Sequence, residues 1–197
     1  MSKYTFDKDR PQSWSSISSF RYDKEQWFHK YILGEKDFET AEMQFGKQFA
    51  LSIENGTCKV KELMKVLQNK KEYPFKVNFG DIPLVGYGDA FCDKTFKILD
   101  EVKTGHKKWD QQRADEHGQF DMYLLMNWLM NKVKPEDVIC TLYWIPTVKH
   151  GDFTIEFVKP IKVHPFKTKR TMQQILQFGA GIKGTVKEMK AYVENHE

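Results

Sequence analysis

Cysteines are few in this sequence and lie far apart. The 197 residues include three, Cys58, Cys92 and Cys140, with no Cys-x-x-Cys pair and no cluster of cysteine with histidine. Structural zinc sites and iron–sulfur clusters are bound by several thiolates at short spacing, so neither kind of site is expected. The expected role is that of free thiols in the core of a protein from a reducing compartment.

Long apolar runs and a strong excess of one charge are also lacking. No segment approaches the ~20 residues that a membrane-spanning helix needs. The N-terminal stretch MSKYTFDKDRPQSW is polar and lacks the apolar segment of a signal peptide. We therefore expect a cytoplasmic protein without a membrane-bound part. The net charge of +4, from 31 basic and 27 acidic residues, permits a polyanionic partner without indicating one.

The composition is sufficient for one domain with a sizeable core, with 40% hydrophobic and 14% aromatic residues. Helical spacing of apolar residues occurs over 15–33, 40–54, 59–68, 111–131 and 171–195. Short segments rich in β-branched and aromatic residues predict strands in PFKVNF, IPLVGYGDAFCD, TFKILDEVK, VICTLYWIP and FTIEFV. The glycines at 179, 181 and 184 predict breaks in the last helix. We expect residues 1–197 to form a single α/β domain, a mixed sheet of about four to five strands flanked by helices.

A carboxylate and an amine lie two residues apart in the predicted strand ILDEVKTG, residues 98–105. Because side chains alternate along a strand, Glu101 and Lys103 share one face, ~7 Å apart. Val102 points into the opposite layer, and its carbonyl can still face the same edge as Glu101. On the preceding strand, Asp89 follows Gly-Tyr-Gly, whose glycines leave room for another backbone or a ligand. Two carboxylates and a carbonyl form a hard oxygen site suited to Mg²⁺ or Mn²⁺.

Such a site suits hydrolysis of a phosphodiester. The metal neutralises the phosphate and lowers the pKa of the attacking water, and the lysine assists that water and stabilises the developing charge. The same Glu-x-Lys pattern recurs at Glu188–Lys190 on a predicted helix, where a solvated face is the better interpretation. For residues 101–103 the pattern alone leaves a polar strand end as the alternative.

The surrounding motifs resemble a known family. Gln119 and Tyr123 lie on one face of the next predicted helix, four residues apart. The order Gly-Tyr-Gly-Asp at 86–89, Glu-Val-Lys-Thr at 101–104 and Gln-x-x-x-Tyr at 119–123 resembles the RecB-type branch of the PD-(D/E)XK nuclease superfamily. The segment WSSISSFRYDKEQWFHKYILG is similar to the opening helix of that family. The resemblance extends from about Trp14 to Tyr123, over half of the chain.

The resemblance implies a restriction-endonuclease-like fold and a Mg²⁺- or Mn²⁺-dependent nuclease acting on single- or double-stranded DNA. A structure- or end-dependent exonuclease, or a flap-type nuclease, in DNA repair, recombination or phage replication is expected, with a recombination protein as a candidate partner. Asp89, Glu101 and the Val102 carbonyl would hold the ion, and Lys103 would assist water. Gln119 and Tyr123 would support the site and contact the substrate strand.

Two features depart from the family pattern. Many members carry a metal-binding histidine in Gly-x-x-x-His, whereas here Gly46 is followed at that position by Ala50. Water or a nearby carboxylate such as Glu54 would then take the position of the histidine, or the site would bind only one ion. The iron–sulfur members carry Cys-Pro after the opening Phe and further cysteines near the C-terminus. Here Asp23-Lys24 stands at the first position and no cysteine follows Cys140, so no cluster is expected. A weak or inactive DNA-binding module, or an interaction subunit on the same scaffold, stays open.

The predicted catalytic strand is followed by His106, Trp109 and Arg113, and each of these residues allows two interpretations. His106 contacts a phosphate or lies in a solvated loop. Trp109 stacks on an unpaired base or closes the hydrophobic lid of the following helix. Arg113 binds the DNA backbone or is an ordinary surface arginine.

The proposed site also requires a particular hairpin. In an antiparallel pair the numbers of opposed residues have a constant sum. A two-residue turn at Lys94-Thr95 would place Asp89 opposite Asp100, whose side chain faces away from Glu101. An even sum places Asp89 and Glu101 on one face, so we predict an odd-length turn or a bulge between turn and site.

Overall fold

The computed structural model describes residues 6–36, 38–151 and 154–196. Its helices are α1 (Trp14–Tyr22), α2 (Lys24–Tyr31), α3 (Ala41–Glu54), α4 (Lys61–Val66), α5 (Gln111–Asp115), α6 (Gly118–Asn131) and α7 (Met172–Glu194), with a 3-10 turn at Pro135–Asp137. Its strands are β1 (Lys70–Phe79), β2 (Ile82–Phe91), β3 (Ile98–Gly105), β4 (Ile139–His150), β5 (Thr154–Phe157) and β6 (His164–Thr168).

The strands form one mixed sheet. β1, β2 and β3 pair in antiparallel fashion, and β3 pairs in parallel with β4. The long strand β4 also pairs in antiparallel fashion with β5 and β6. The predicted mixed sheet flanked by helices is confirmed. The sixth strand was not predicted, because its sequence HPFKT contains a proline and little apolar sequence.

Side chains from the two faces of the sheet enter different cores. Along β4, Leu142 and Trp144 join a large core with α1, α2, α6 and α7, whereas Tyr143 and Ile145 join a smaller core with α3 and α4. This alternation follows from the strand period. The cleft described below lies between α3 and the strands on this side of the sheet.

Two of the predicted helices are each divided in the structure. Asp23 ends α1 and begins α2, since its side chain accepts a hydrogen bond from the backbone N–H of Gln26, so the helix predicted over 15–33 is in fact two. Likewise, the helix predicted over 111–131 is divided before Gly118.

The last helix is continuous through its three glycines, so the predicted breaks were wrong. Gly179 has a packing role, because a Cβ atom there would lie 2.9 Å from the Phe79 ring. No helix within the described ranges combines the length and apolar character needed to cross a membrane. Of the three free cysteines, Cys140 is buried and the other two are half-buried.

Candidate active site

The hairpin between β2 and β3 has the register that the site requires. Ala90 pairs with Asp100 and Phe91 with Leu99, an even sum in both cases. The N–H of Cys92 donates to the carbonyl of Ile98 at 3.0 Å, which leaves the odd-length loop 93–97. The prediction for the turn is therefore confirmed, and Asp89 lies at the level of Glu101.

The two strands separate just past this pairing. The Oδ2 atom of Asp89 accepts a hydrogen bond of 2.6 Å from the backbone N–H of Val102, in place of a strand-to-strand bond. In an extended strand the N–H and C=O of one residue point to the same side, so the Val102 carbonyl also faces β2. Its side chain packs against the smaller core, as predicted. Asp89 and the Val102 carbonyl thus line the opening between the strands.

Glu101 is 2% exposed and carries an unsatisfied oxygen. Its Oε1 atom accepts a hydrogen bond of 2.5 Å from Lys103 Nζ, while Oε2 is buried and has no partner among the described residues. Burial, followed by the neighbouring Asp89 carboxylate, raises the pKa of Glu101 to about 8. Burial likewise raises the pKa of Asp89, against the opposing effect of Lys103.

Lys103 remains a cation in this setting. Burial lowers the pKa of its ammonium group, but the carboxylates of Glu101 and Asp89 outweigh burial and raise it overall. A charged ammonium next to two carboxylates can offer hydrogen bonds and positive charge to an anionic substrate. It is not placed to act as a neutral base.

Gln119 and Tyr123 connect Lys103 to the strand that carries Asp89. Lys103 Nζ donates to Gln119 Oε1 at 3.0 Å, Gln119 Nε2 donates to the Tyr123 hydroxyl at 2.7 Å, and that hydroxyl donates to the Tyr87 carbonyl at 2.5 Å. The arrangement agrees with the supporting role implied by the resemblance. Tyr123 is 4% exposed and its hydroxyl is engaged on both sides, and the contact with a substrate strand that the resemblance implies stays a prediction.

The glycines before Asp89 make room for side chains, not for a backbone or a ligand as predicted. A Cβ atom on Gly86 would lie 2.7 Å from the Tyr123 ring, and one on Gly88 would lie 3.1 Å from Leu99. The Gly-x-x-Asp segment and the Gln-x-x-x-Tyr segment therefore pack directly against each other.

A cleft of about 460 Å³ opens over this site, between the strands and α3. Ala50 and Glu54 line its helix side, and Lys71 and Thr104 line its strand side. Its acidic lining residues outnumber its basic ones, Lys71 and Lys103; the acidic ones are Glu42, Glu54, Glu72, Asp89 and Glu101. Glu72 was missed in the sequence because the strand was predicted to begin after it; extending that strand to KKEYPFKVNF would have identified it. A polyanion can enter this cleft only if cations offset the negative charge.

The donor set suits a hard divalent cation. Asp89, Glu101 and the Val102 carbonyl supply oxygen atoms, and the unpartnered Glu101 Oε2 has a lone pair without a donor. Within the described part of the chain, no three His, Cys, Asp or Glu side chains lie close enough together to hold an ion. The residues thus fit a site in which water completes the coordination sphere.

The residues that follow β3 form a lid instead of a base-stacking surface. Trp109 is 8% exposed, its face is covered by the Arg113 guanidinium at 4.0 Å, and its ring meets His117 edge-on. Arg113 also donates to the Lys108 carbonyl. Of the two interpretations of Trp109, packing is the one that the structure favours. His106 is exposed in a loop.

This sheet, with carboxylates on two neighbouring strands and a lysine beside them, has the restriction-endonuclease-like PD-(D/E)XK fold. The alkaline exonuclease LHK-Exo from Laribacter hongkongensis has a solved structure that matches with a TM-score of 0.56 at 10% identity, over 93% of this chain and 90% of that one. Its complex with dAMP matches equally well. A candidate exonuclease from Eubacterium rectale matches with a TM-score of 0.60 at 10% identity, over 94% of this chain and 81% of that one.

At this level of identity the likeness concerns the fold alone. No family model matches the chain. No curated protein sequence matches it either.

Proposed function

We propose that this chain is a DNA nuclease that hydrolyses phosphodiester bonds with Mg²⁺ or Mn²⁺. The observation that carries the proposal is the placement of Asp89 and Glu101 at one level of the sheet, with Lys103 Nζ 2.5 Å from Glu101 and an unpartnered Glu101 oxygen at the cleft. The structural neighbours are exonucleases, and one was solved with dAMP, so we favour exonuclease activity.

Asp89, Glu101 and the Val102 carbonyl would hold the ion, which would neutralise the scissile phosphate and lower the pKa of the attacking water. Lys103 contributes its fixed positive charge. An ammonium group has three hydrogens, and here two of them point to Glu101 and Gln119. The third has no acceptor among the described residues and would donate to a non-bridging phosphate oxygen, where the charge of the transition state develops. Gln119 and Tyr123 keep Lys103 in that position.

The finer assignment rests on the sequence resemblance. The RecB-type branch, a role in repair, recombination or phage replication and a recombination partner all belong to the proposal.

The test is an assay of end-labelled single- and double-stranded DNA with Mg²⁺, Mn²⁺ or EDTA. We expect wild-type cleavage only with a metal, and Lys103→Ala should lower the rate by at least about a hundredfold. Metal binding should be largely intact in that variant, because the lysine is no ligand. Lys190→Ala is the matched control, since it alters the second Glu-x-Lys pattern on α7. Equal cleavage by wild type and Lys103→Ala would refute the assignment.

A DNA-binding module without activity is the second candidate. Ala50 favours it, because alanine cannot bind a metal where many family members have a histidine. DNA binding without any cleavage in Mn²⁺ would support this candidate over the nuclease.

A further inference from the structure

Three carboxylates lie at one level across three neighbouring strands. Lys71 pairs with Ala90 and Tyr73 with Gly88, so Glu72 on β1 lies opposite Asp89 on β2. The register of β2 and β3 places Asp89 at the level of Glu101. Glu72, Asp89 and Glu101 thus form one row, and all of them line the same cleft.

Glu72 is held there at an energetic cost. Its φ angle is 48°, in the left-handed region that a non-glycine residue seldom occupies. Like charges directly opposite each other on neighbouring strands destabilise a sheet. Across the described ranges, no hydrogen bond or ion pair of the Glu72 side chain offsets this repulsion. Burial, followed by the charges of Asp89 and Glu54, raises its pKa.

A cation between the carboxylates would remove the repulsion. Glu101 is 2% exposed, and its Oε2 atom has no partner among the described residues, which independently indicates that a ligand belongs at this end of the cleft. Glu54, the carboxylate suggested by the sequence, is less suitable. It lies exposed at the end of α3, outside the row of strand carboxylates.

We propose that Glu72 is a further metal ligand of this site and supplies the donor that Ala50 cannot. The inference rests on the proposed metal-dependent function. The three carboxylates do not converge on one point in the structure, so binding requires rotation about the side-chain bonds of Glu72. The ligand would come from β1, across the cleft from the helix position of Ala50.

The test is Mn²⁺ titration by calorimetry on the full chain, with melting temperatures measured in EDTA. We expect Glu72→Gln to weaken Mn²⁺ binding at least about tenfold. The same variant should melt at a higher temperature than wild type in EDTA, because the repulsion with Asp89 is gone. Glu54→Gln, the matched control in the same cleft, should change the affinity by less than about twofold.

The proposal for Glu72 would be overturned if Glu72→Gln bound Mn²⁺ as tightly as wild type. It would also be overturned if Glu54→Gln lost as much Mn²⁺ affinity as Glu72→Gln. Glu101→Gln separates this failure from a failure of the proposed function. If Glu101→Gln loses Mn²⁺ while Glu72→Gln retains it, only the role of Glu72 is wrong. If wild type binds no Mn²⁺ at all, both proposals fail.

Discussion

The imidazole of His117 is half-buried and meets the rings of Trp109 and Phe120 edge-on, directly before α6. Burial, followed by the charges of Lys103, Arg113 and Arg170, lowers its pKa to about 3 from an ordinary value of 6.5. The folded protein therefore keeps His117 neutral at pH values where the unfolded chain protonates it. Stability from this residue is present above pH 6.5 and is lost as the pH falls toward 3.

We predict that His117→Gln removes this pH dependence. The unfolding free energy of wild type should fall relative to the variant by about 1–2 kcal/mol between pH 7 and pH 5, because only wild type has the histidine to protonate on unfolding. Urea titrations of both proteins in EDTA at the two pH values measure the difference. A constant gap between them would contradict the inferred pKa.

Single residues also show what the sequence can and cannot predict about the site. The even register of Asp89 and Glu101 followed from side-chain alternation and is confirmed. The packing of Tyr123 against Gly86 could not be predicted, since it depends on how closely α6 approaches β2. Glu72 was missed because the polar residues Lys-Lys-Glu at the start of β1 do not have the apolar pattern of a strand.

Helix α7 shows how tertiary packing overrides local preference. It has three glycines, each costing roughly 0.5–1 kcal/mol relative to alanine in a helix interior, and yet it is continuous. A Thr171 capping box fixes its start, and buried residues such as Ile175, Ile182 and Met189 hold it on the main core. Propensity alone therefore predicted breaks that core packing prevents.

Two glycines of this helix should respond in opposite ways to alanine. Nothing lies within 4 Å of a Cβ atom on Gly184, so Gly184→Ala should stabilise the protein by roughly 0.5–1 kcal/mol. A Cβ atom on Gly179 would lie 2.9 Å from the Phe79 ring, so Gly179→Ala should destabilise it by about 1–3 kcal/mol. Urea unfolding of both variants tests this. If both substitutions changed the unfolding free energy in the same direction, Gly179 would not be required for the packing of Phe79.

Charge is distributed unevenly over the whole molecule. The net charge is +4, yet the lining of the candidate active cleft is mostly acidic. A DNA strand would therefore contact lysines outside the cleft and require a cation inside it. The overall charge can be counted from the sequence, but the acidic cleft forms only when the fold brings α3 and the strands together.

DNA affinity should accordingly depend on both salt and divalent metal. In the cleavage-deficient Lys103→Ala variant, we predict that the logarithm of the DNA binding constant falls linearly with the logarithm of salt concentration between ~50 and ~200 mM, since counterions are released from the phosphates. At fixed ionic strength, Mn²⁺ should raise the affinity above its value in EDTA, because it offsets the carboxylates of the cleft. Fluorescence anisotropy of a labelled oligonucleotide measures both effects, and Glu101→Gln is the control for the metal arm. A flat salt response would argue that nucleic acid is not the ligand. A normal salt response without a Mn²⁺ effect would mean that DNA binds elsewhere on the molecule.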